Sequence, residues 1–267
     1  MSRLAAFLAK DWRIFASYRA GLAVRAGQIL FTVAAFYFIG RLIDAGASPA
    51  LAPYGGAYFP FVLLGLAFSR YLSASMTGLA SALRQEQLQG TLEAVLATPT
   101  PLALIAIGNL LSELIWTTGE IAVYLGAGAV LFGLDLGSAD LPASLVLLAL
   151  TVASLSSLGV LSASGILLFR EFDPVSWMLG GLMRLVGGVY FPVAILPGWL
   201  ETMAGWVPLT YALEGMRQAV LMGRPLAELQ PMCAALAAFA LVLWPVALVV
   251  FAWTIRRLQR DGSLSFR

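Results

Sequence analysis

The sequence contains no histidine and one cysteine, and only 11% of its 267 residues are charged. Without histidine, a Ser–His nucleophile and His-based acid–base catalysis are excluded within this chain, as are zinc clusters. Cys233 alone cannot form an intramolecular disulfide, and we expect it to be a small apolar residue of a helix. The sole lysine, Lys10, follows no glycine, so the chain lacks the G-x-x-x-x-G-K-[ST] loop that binds ATP phosphates.

Apolar residues dominate the composition. They make up 60% of the chain, and the mean hydropathy is +0.88. Because a soluble domain is about one quarter charged, this composition indicates a membrane protein. Six apolar runs predict an all-α fold with six transmembrane helices. The runs lie at roughly 26–41, 57–80, 102–133, 141–169, 175–196 and 232–254, and we expect residues 1–267 to form a single transmembrane domain.

The positive charges predict the orientation of this domain. Eleven Lys and Arg residues fall on the side that the two termini share with Arg84, whereas Arg41, Arg217 and Arg224 fall on the other side. Positive residues are enriched in cytoplasmic loops. We therefore expect a multi-pass protein of the plasma membrane, the inner membrane of the cell, with both termini in the cytoplasm.

Residues 1–21 precede the first apolar run and are both basic and aromatic. Arg3, Lys10 and Arg13 are interspersed with a ragged helical stripe that includes Leu4 and Phe15. Such a stretch is too polar to span and is typical of a helix that lies on the lipid surface. A frayed basic terminus is the alternative interpretation.

The stretch RQEQLQGTLEAVLATPTP, residues 84–101, is the longest polar segment between the first and last spans. Arg84, Glu86 and Glu93 cannot lie in hydrocarbon at low cost. Leu92 and the apolar residues at 88, 95 and 96 recur at helical spacing. We predict a short amphipathic helix within residues 82–98, in a cytoplasmic loop between spans 2 and 3. Its apolar face would lie on lipid, on its own bundle or on a partner.

Four ionisable residues fall inside the predicted spans: Arg70, Glu113, Glu120 and Arg184. Residues of this kind usually face the interior of a helix bundle and pair with one another. Glu113 and Glu120 are seven positions apart and share a helix face. A Glu113–Arg184 or a Glu120–Arg70 ion pair is the resulting hypothesis. Such a pair would be either purely structural or part of a polar substrate path.

Residues 190–230 are broken by prolines, which interrupt helices. The prolines are Pro192, Pro197 and Pro208. Trp199 is of a type that favours the membrane interface. We predict two short helices over 197–224 that dip into or lie on the outer leaflet, as a re-entrant hairpin before span 6. Glu214 and Arg217, at i and i+3, are candidates for an ion pair.

The order of these features resembles the membrane-spanning permease of type-2 ABC transporters, most of which are exporters. The loop carries an E-x-x-x-G-T-L-E-x-x-x-x-T-P pattern at Glu86, Gly90, Thr91, Leu92, Glu93, Thr98 and Pro99. The outer stretch matches at Tyr190, Phe191, Pro192, Leu196, Pro197, Trp199, Leu200, Pro208, Leu209, Thr210, Tyr211, Glu214 and Arg217. The resemblance covers nearly the whole chain.

The resemblance implies a coupling helix that docks on a separate ATPase subunit. The candidate docking residues are Arg84, Glu86, Gly90, Thr91, Leu92 and Glu93. Gly90 and Thr91 also have a simpler interpretation, as a kink and a backbone hydrogen bond. Gln85, Gln87 and Gln89 make this loop less charged than is common in the family, which leaves Glu86 and Glu93 as the candidates for salt bridges to the ATPase.

The family also implies the assembly. Two permeases, identical or different, would work with two ATPase subunits that bind ATP and Mg²⁺, and the substrate path would lie between the permeases. In this chain we expect no catalytic residue, no cofactor, no metal and no nucleic-acid contact.

Two other classes of function remain open. An ion-coupled secondary transporter would use Glu113 and Glu120, but such proteins usually show an internal repeat, and none is found here. A membrane subunit that does not itself transport is the second alternative.

Overall fold

The computed structural model describes residues 19–44, 49–88, 102–169 and 174–260. Within these ranges the regular elements are helices and no strand occurs, which confirms the all-α class. The predicted interfacial helix, apart from residues 19–21, lies outside the described residues. So does the part of the predicted coupling loop that contains Gly90, Thr91, Leu92 and Glu93.

Eight α-helices and two 3₁₀ turns make up the described fold. In chain order they are α1 (Arg19–Asp44), a 3₁₀ turn (Pro49–Tyr54), α2 (Tyr58–Leu88), α3 (Leu102–Phe132), α4 (Leu141–Phe169), α5 (Pro174–Val186), a 3₁₀ turn (Val193–Ile195), α6 (Gly198–Ala204), α7 (Pro208–Leu221) and α8 (Gln230–Arg260).

Five of these helices are long and apolar enough to cross a membrane. The candidate spans are Ala23–Asp44, Tyr58–Met76, Leu111–Phe132, Leu141–Leu168 and Gln230–Arg257. These correspond to five of the six predicted runs; the exception is the fifth run, 175–196. There α5 has 13 residues, about 20 Å of helix, whereas a hydrocarbon core is about 30 Å thick.

Two glycines lie at the end of α5, and the second of them ends the helix. Gly188 has a positive φ of 84°, a conformation that side chains other than glycine rarely adopt and that ends a helix. A Cβ on Gly187 would collide with the carbonyl oxygen of Met183. The chain then continues through the 3₁₀ turn at Val193–Ile195 instead of a further helical turn.

Helix α2 is the centre of the bundle. Of its candidate span, 78% is buried inside the protein, against 11% for α8. Four consecutive residues, Phe61, Val62, Leu63 and Leu64, are fully buried, so the helix is covered on all sides. Its first backbone N–H, that of Tyr58, donates to Oδ1 of Asp44 at the end of α1, 2.8 Å away. This bond satisfies one of the free donors at the helix start.

Helix α2 also extends well beyond its apolar part. It has 31 residues, about 46 Å, against a hydrocarbon core of about 30 Å. Arg84 and Glu86 therefore belong to the same helix as span 2, which corrects the prediction of a separate loop helix from residue 82 onward. The reason is local, since residues 79–89 contain neither glycine nor proline and are rich in good helix formers.

Helices α4 and α8 run in the same direction. Leu147 and Met232, each near the start of its helix, both contact Gly215 of α7. Further along both helices, the indole Nε1 of Trp244 donates to the carbonyl of Ala153 at 2.8 Å. The chain between the end of α4 and the start of α8 must therefore return to the end of the bundle at which α4 begins.

Candidate functional site

Three helices bring charged side chains together inside the candidate spans. Nη2 and Nε of Arg70 on α2 donate to Oε2 of Glu120 on α3 at 2.7 Å and 3.0 Å. Nη1 of Arg25 on α1 donates to Oε1 of the same carboxylate at 3.2 Å. We call these three residues the charge cluster. One carboxylate thus holds two guanidiniums, and the three helices are tied together at this point.

The remaining two intramembrane charges do not join the charge cluster. Nε of Arg184 donates to the carbonyl of Gly180 in its own helix, at 3.0 Å. The Glu113 side chain packs beside Gly78 of α2. Among the described residues, no ion pair joins Glu113 to Arg184 or to any other cation within 4.0 Å. The structure therefore contains the Glu120–Arg70 contact, while the hypothesised Glu113–Arg184 contact is absent from its described part.

Arg217 is the most deeply buried charge in the described part of the chain, with 3% of its surface exposed. Its guanidinium donates to the carbonyl of Phe61 on α2 from Nε at 3.2 Å and from Nη2 at 3.1 Å. Nη2 also donates to Gly188 at 2.8 Å and to Val189 at 3.3 Å. The Phe61 ring lies 3.5 Å from the guanidinium carbon. The sequence prediction of a Glu214–Arg217 ion pair is wrong, because backbone carbonyls take the guanidinium instead.

Glycine 65 permits this arrangement. A Cβ at this position would collide with the carbonyl oxygen of Val189 and lie 2.7 Å from Nη2 of Arg217. Without a side chain here, the segment that follows α5 approaches the α2 backbone directly. The last carbonyls of a helix have no partner within the helix and need one elsewhere. Here the carbonyls after α5 accept from the buried guanidinium of Arg217.

Glu214 binds neutral partners. Its Oε2 accepts from the Tyr54 hydroxyl at 2.7 Å, and its Oε1 accepts from Nε2 of Gln218 at 2.6 Å. Oε1 of Gln218 in turn accepts from Nη1 of Arg224 at 3.2 Å. Burial, followed by the hydrogen bond and the negative charge of Glu214, raises the pKa of Tyr54 well above its ordinary value of 10.0. Tyr54 therefore remains a neutral donor at neutral pH.

Burial also lowers the pKa of Arg217 to about 10, with Tyr54, Glu214 and Tyr58 opposing the shift electrostatically. The guanidinium thus stays charged at neutral pH. Fully charged, it provides strong donors for the three carbonyls that it contacts.

Prolines set the boundaries of the outer elements. Pro192 and Pro197 immediately precede the second 3₁₀ turn and α6, and Pro208 is the first residue of α7. Trp199 and Trp206 are exposed beside these boundaries. The backbone N–H of Asp140, in the α3–α4 connection, donates to the carbonyl of Ala219 at 2.9 Å. Helix α7 therefore packs on the same end of the bundle as that connection and the 3₁₀ turn that holds Tyr54.

Sequence reasoning missed three members of these networks. Arg25 was assigned to the cytoplasmic basic region. The apolar run that follows it, 26–41, is shorter than the roughly 20 residues of a span, and this was a signal that the helix also includes residues before 26. Tyr54 was missed because it lies 160 positions from its partner Glu214 in the sequence. Gln218 was missed because its neutral amide gave no sign of an ion pair with Glu214.

Comparison with known proteins decides the family. Residues 5–221 match the sequence profile described as ABC-2 type transporter. The chain belongs to the ABC-2 type transporter family. The match confirms the resemblance inferred from the loop and hairpin motifs. The matched family is that of the ABC-2 membrane permease, a domain that does not carry the ATPase.

One relative of this ABC-2 permease is the linearmycin resistance permease protein LnrN of Bacillus subtilis (strain 168). It is 22% identical over 240 residues, which make up 90% of this chain and 58% of the relative. The chain thus spans little more than half the length of that relative.

Proposed function

We propose that this permease is the transmembrane part of an ATP-driven exporter, working with two copies of a separate ATPase subunit and with a second permease. The observation that carries the proposal is the extension of α2. A helix packed at the centre of the bundle continues past its apolar span to Leu88. It leads directly into the coupling pattern of residues 86–99.

A rigid extension of this kind suits coupling. A partner that moves the end of α2 would also move the buried core around Phe61 and Tyr71. A closely packed core deforms little, so it passes a displacement on to the rest of the bundle. The ATP-bound partner must favour one arrangement of the permease over the other for coupling to occur. Arg84, Glu86, Gly90, Thr91, Leu92 and Glu93 are the proposed docking residues.

We propose that the chain crosses the membrane six times, with both termini in the cytoplasm. The fifth crossing would be a broken one, formed by α5 and the non-helical residues that follow it. The common direction of α4 and α8 supports this arrangement, as does the packing of α7 against the α3–α4 connection. Residues 197–224 would then form the outer hairpin and close the extracellular end of the path between the two permeases.

In this proposal Glu120 is a structural residue. Its carboxylate accepts from Arg70 at 2.7 Å and from Arg25 at 3.2 Å, and it thereby ties α1, α2 and α3 together. The relative's printed name concerns resistance to linearmycin, so a toxic compound is a reasonable first substrate to test for this permease.

The test is co-purification of the tagged chain with its ATPase. Glu86→Arg and Gly90→Trp should release the ATPase and abolish its stimulation by the permease. Glu201→Arg, an equivalent charge reversal on the exposed surface of α6, is the matched control and should leave the complex intact. If an ATPase is retained equally by all the variants, residues 84–93 do not dock it, and the proposal fails.

A further inference from the structure

Two members of the charge cluster, Arg70 and Glu120, lie deep within their candidate spans, whereas Arg25 is the third residue of the span Ala23–Asp44. Twelve residues separate Arg70 from the start of α2 at Tyr58, and twelve separate Glu120 from the end of α3 at Phe132. Each distance corresponds to about 18 Å of helix measured from the same end of the bundle. In a hydrocarbon core about 30 Å thick, both groups lie far from either surface.

The guanidiniums of the cluster are nevertheless accessible. The side chain of Arg70 is 48% exposed and that of Arg25 is 61% exposed, whereas that of Glu120 is only 17% exposed. A guanidinium has five N–H donors, and Glu120 engages one nitrogen of Arg25 and two of Arg70. At the depth of Arg70, exposed charge is costly in lipid and usually marks a functional position.

The charges around the cluster are unevenly distributed. Two guanidiniums share the carboxylate of Glu120, while Glu113 lies two helical turns away on the same face of α3. Among the described residues no cation lies within 4.0 Å of the Glu113 carboxylate. The charge cluster by itself therefore has one positive charge in excess, which Glu113 offsets from two turns away. This excess suits a ligand that brings its own negative charge.

The surroundings of the cluster are apolar and open. Val24 on α1 and Ile115 and Val123 on α3 are exposed. A Cβ on Gly119, the residue before Glu120, would meet no atom within 4 Å. The charged donors thus have exposed apolar residues near them on α1 and α3.

We propose that Arg25 and Arg70 bind the phosphate or carboxylate head group of an anionic amphiphile, whose hydrocarbon chain lies along the exposed apolar residues of α1 and α3. The guanidinium fork matches the geometry of either anion. Glu120 holds the two forks in place as a positioning residue. The site belongs to the chain itself, and testing it requires no ATPase, so its failure is distinguishable from failure of the export proposal.

The test uses the purified full-length chain in detergent, with native mass spectrometry to count bound lipid. Phosphatidylglycerol and phosphatidylcholine with identical acyl chains are the probes. The wild type should retain phosphatidylglycerol preferentially. Arg25→Gln and Arg70→Gln should each lower its affinity about tenfold or more, the size expected for losing charge-assisted hydrogen bonds. Arg41→Gln, at the opposite end of α1, is the matched control and should preserve the preference.

Two further measurements keep the proposal falsifiable. Glu113→Gln removes a nearby negative charge without breaking an ion pair of the cluster, so it should raise the affinity for phosphatidylglycerol several-fold. Dodecyl phosphate should displace the lipid at concentrations where inorganic phosphate does not. Equal binding of the two lipids by the wild type, or unchanged binding in Arg70→Gln and Glu113→Gln, would overturn the proposal. Displacement by inorganic phosphate alone would overturn its amphiphile part.

Discussion

Arg217 is the residue at which three segments of the outer end meet. Its guanidinium reaches the carbonyls of Phe61 on α2 and of Gly188 and Val189 after α5, while its backbone belongs to α7. A buried cation is costly unless its hydrogen bonds are satisfied. Two of these acceptors, the carbonyls of Gly188 and Val189, are left without helical partners by the end of α5, so the cation and these carbonyls stabilise each other.

Replacing this guanidinium should destabilise the outer end of the bundle. We expect Arg217→Met to lower the free energy of unfolding by about 3 kcal/mol or more, because it leaves buried carbonyls unpaired. Arg224→Met is the control, since it removes an exposed pair with Glu228 and a single hydrogen bond to Gln218, which together should contribute about 1 kcal/mol. Thermal unfolding in detergent, followed by tryptophan fluorescence, compares the two. Equal losses for both variants would contradict the role assigned to Arg217.

Tyr54 predicts a pH dependence with a definite sign. Its pKa is raised in the folded protein by burial and by Glu214, so its contribution to stability is complete below the unfolded pKa of about 10. That contribution is lost as the pH rises further, because ionisation then favours the unfolded chain. The unfolding temperature of the wild type should exceed that of Tyr54→Phe at about pH 8, and the gap should shrink above about pH 10. A gap that stays constant would exclude this titration.

At the scale of elements, close packing of α2 and α4 depends on one missing side chain. A Cβ on Gly159 of α4 would collide with the backbone carbonyl oxygen of Ser75 on α2. Small residues at such positions let membrane helices approach and gain dispersion contacts, since lipid offers no hydrophobic drive for association. The backbone of α2 cannot move aside, because its neighbours Leu72 and Met76 are also buried.

Gly159→Ala should therefore be destabilising by about 1–3 kcal/mol, the usual cost of overpacking. Gly126→Ala on α3 is the matched control, because its Cβ would meet nothing within 4 Å. That change should be neutral or stabilising by up to about 1 kcal/mol through helix propensity. Unfolding temperatures of the purified variants decide between these outcomes. A stable Gly159→Ala protein would show that the two helices can separate at little cost.

At the scale of the whole molecule, the broken α5 raises the question of how often the chain crosses the membrane. The helix is too short to span alone, yet α4 and α8 run in the same direction. A partly non-helical crossing is tolerated in lipid only where protein covers its backbone. Around Gly188 and Val189, the backbone carbonyls accept from Arg217 and pack against α2 at Gly65, so protein covers them in that way.

Cysteine labelling tests this topology, and the chain is well suited to it because Cys233 is its only cysteine. In a Cys233→Ser background, single cysteines at Ser138 and Ala227 should react with an impermeant maleimide added outside intact cells. Cysteines at Ser2 and Ser265 should react only after the cells are opened. If Ala227→Cys and Ser265→Cys react from the same side, α8 does not cross the membrane between them, and the proposed topology is contradicted. Opposite sides for Ser2 and Ser265 would contradict six crossings.

The features that the sequence by itself determined depend on composition and on local patterns. The shortage of charge and the long apolar runs established an all-helical membrane protein, and the loop and hairpin motifs identified the ABC-2 family. Helices α3 and α4 end close to the limits of their apolar runs. These features depend on composition and on spacing along the chain, which can be observed without knowing which helices pack together.

Only the tertiary structure decided the partners of the charged residues. Arg217 was expected to bind Glu214, three positions away, but it donates to carbonyls on two other segments. Arg25 was expected in the cytoplasm, but it shares Glu120 with Arg70. The end of α5 within an apolar run follows the same pattern. The physical reason is that the lowest free energy for a buried charge or an unpaired carbonyl depends on groups brought close by helix packing. Sequence spacing does not encode that proximity.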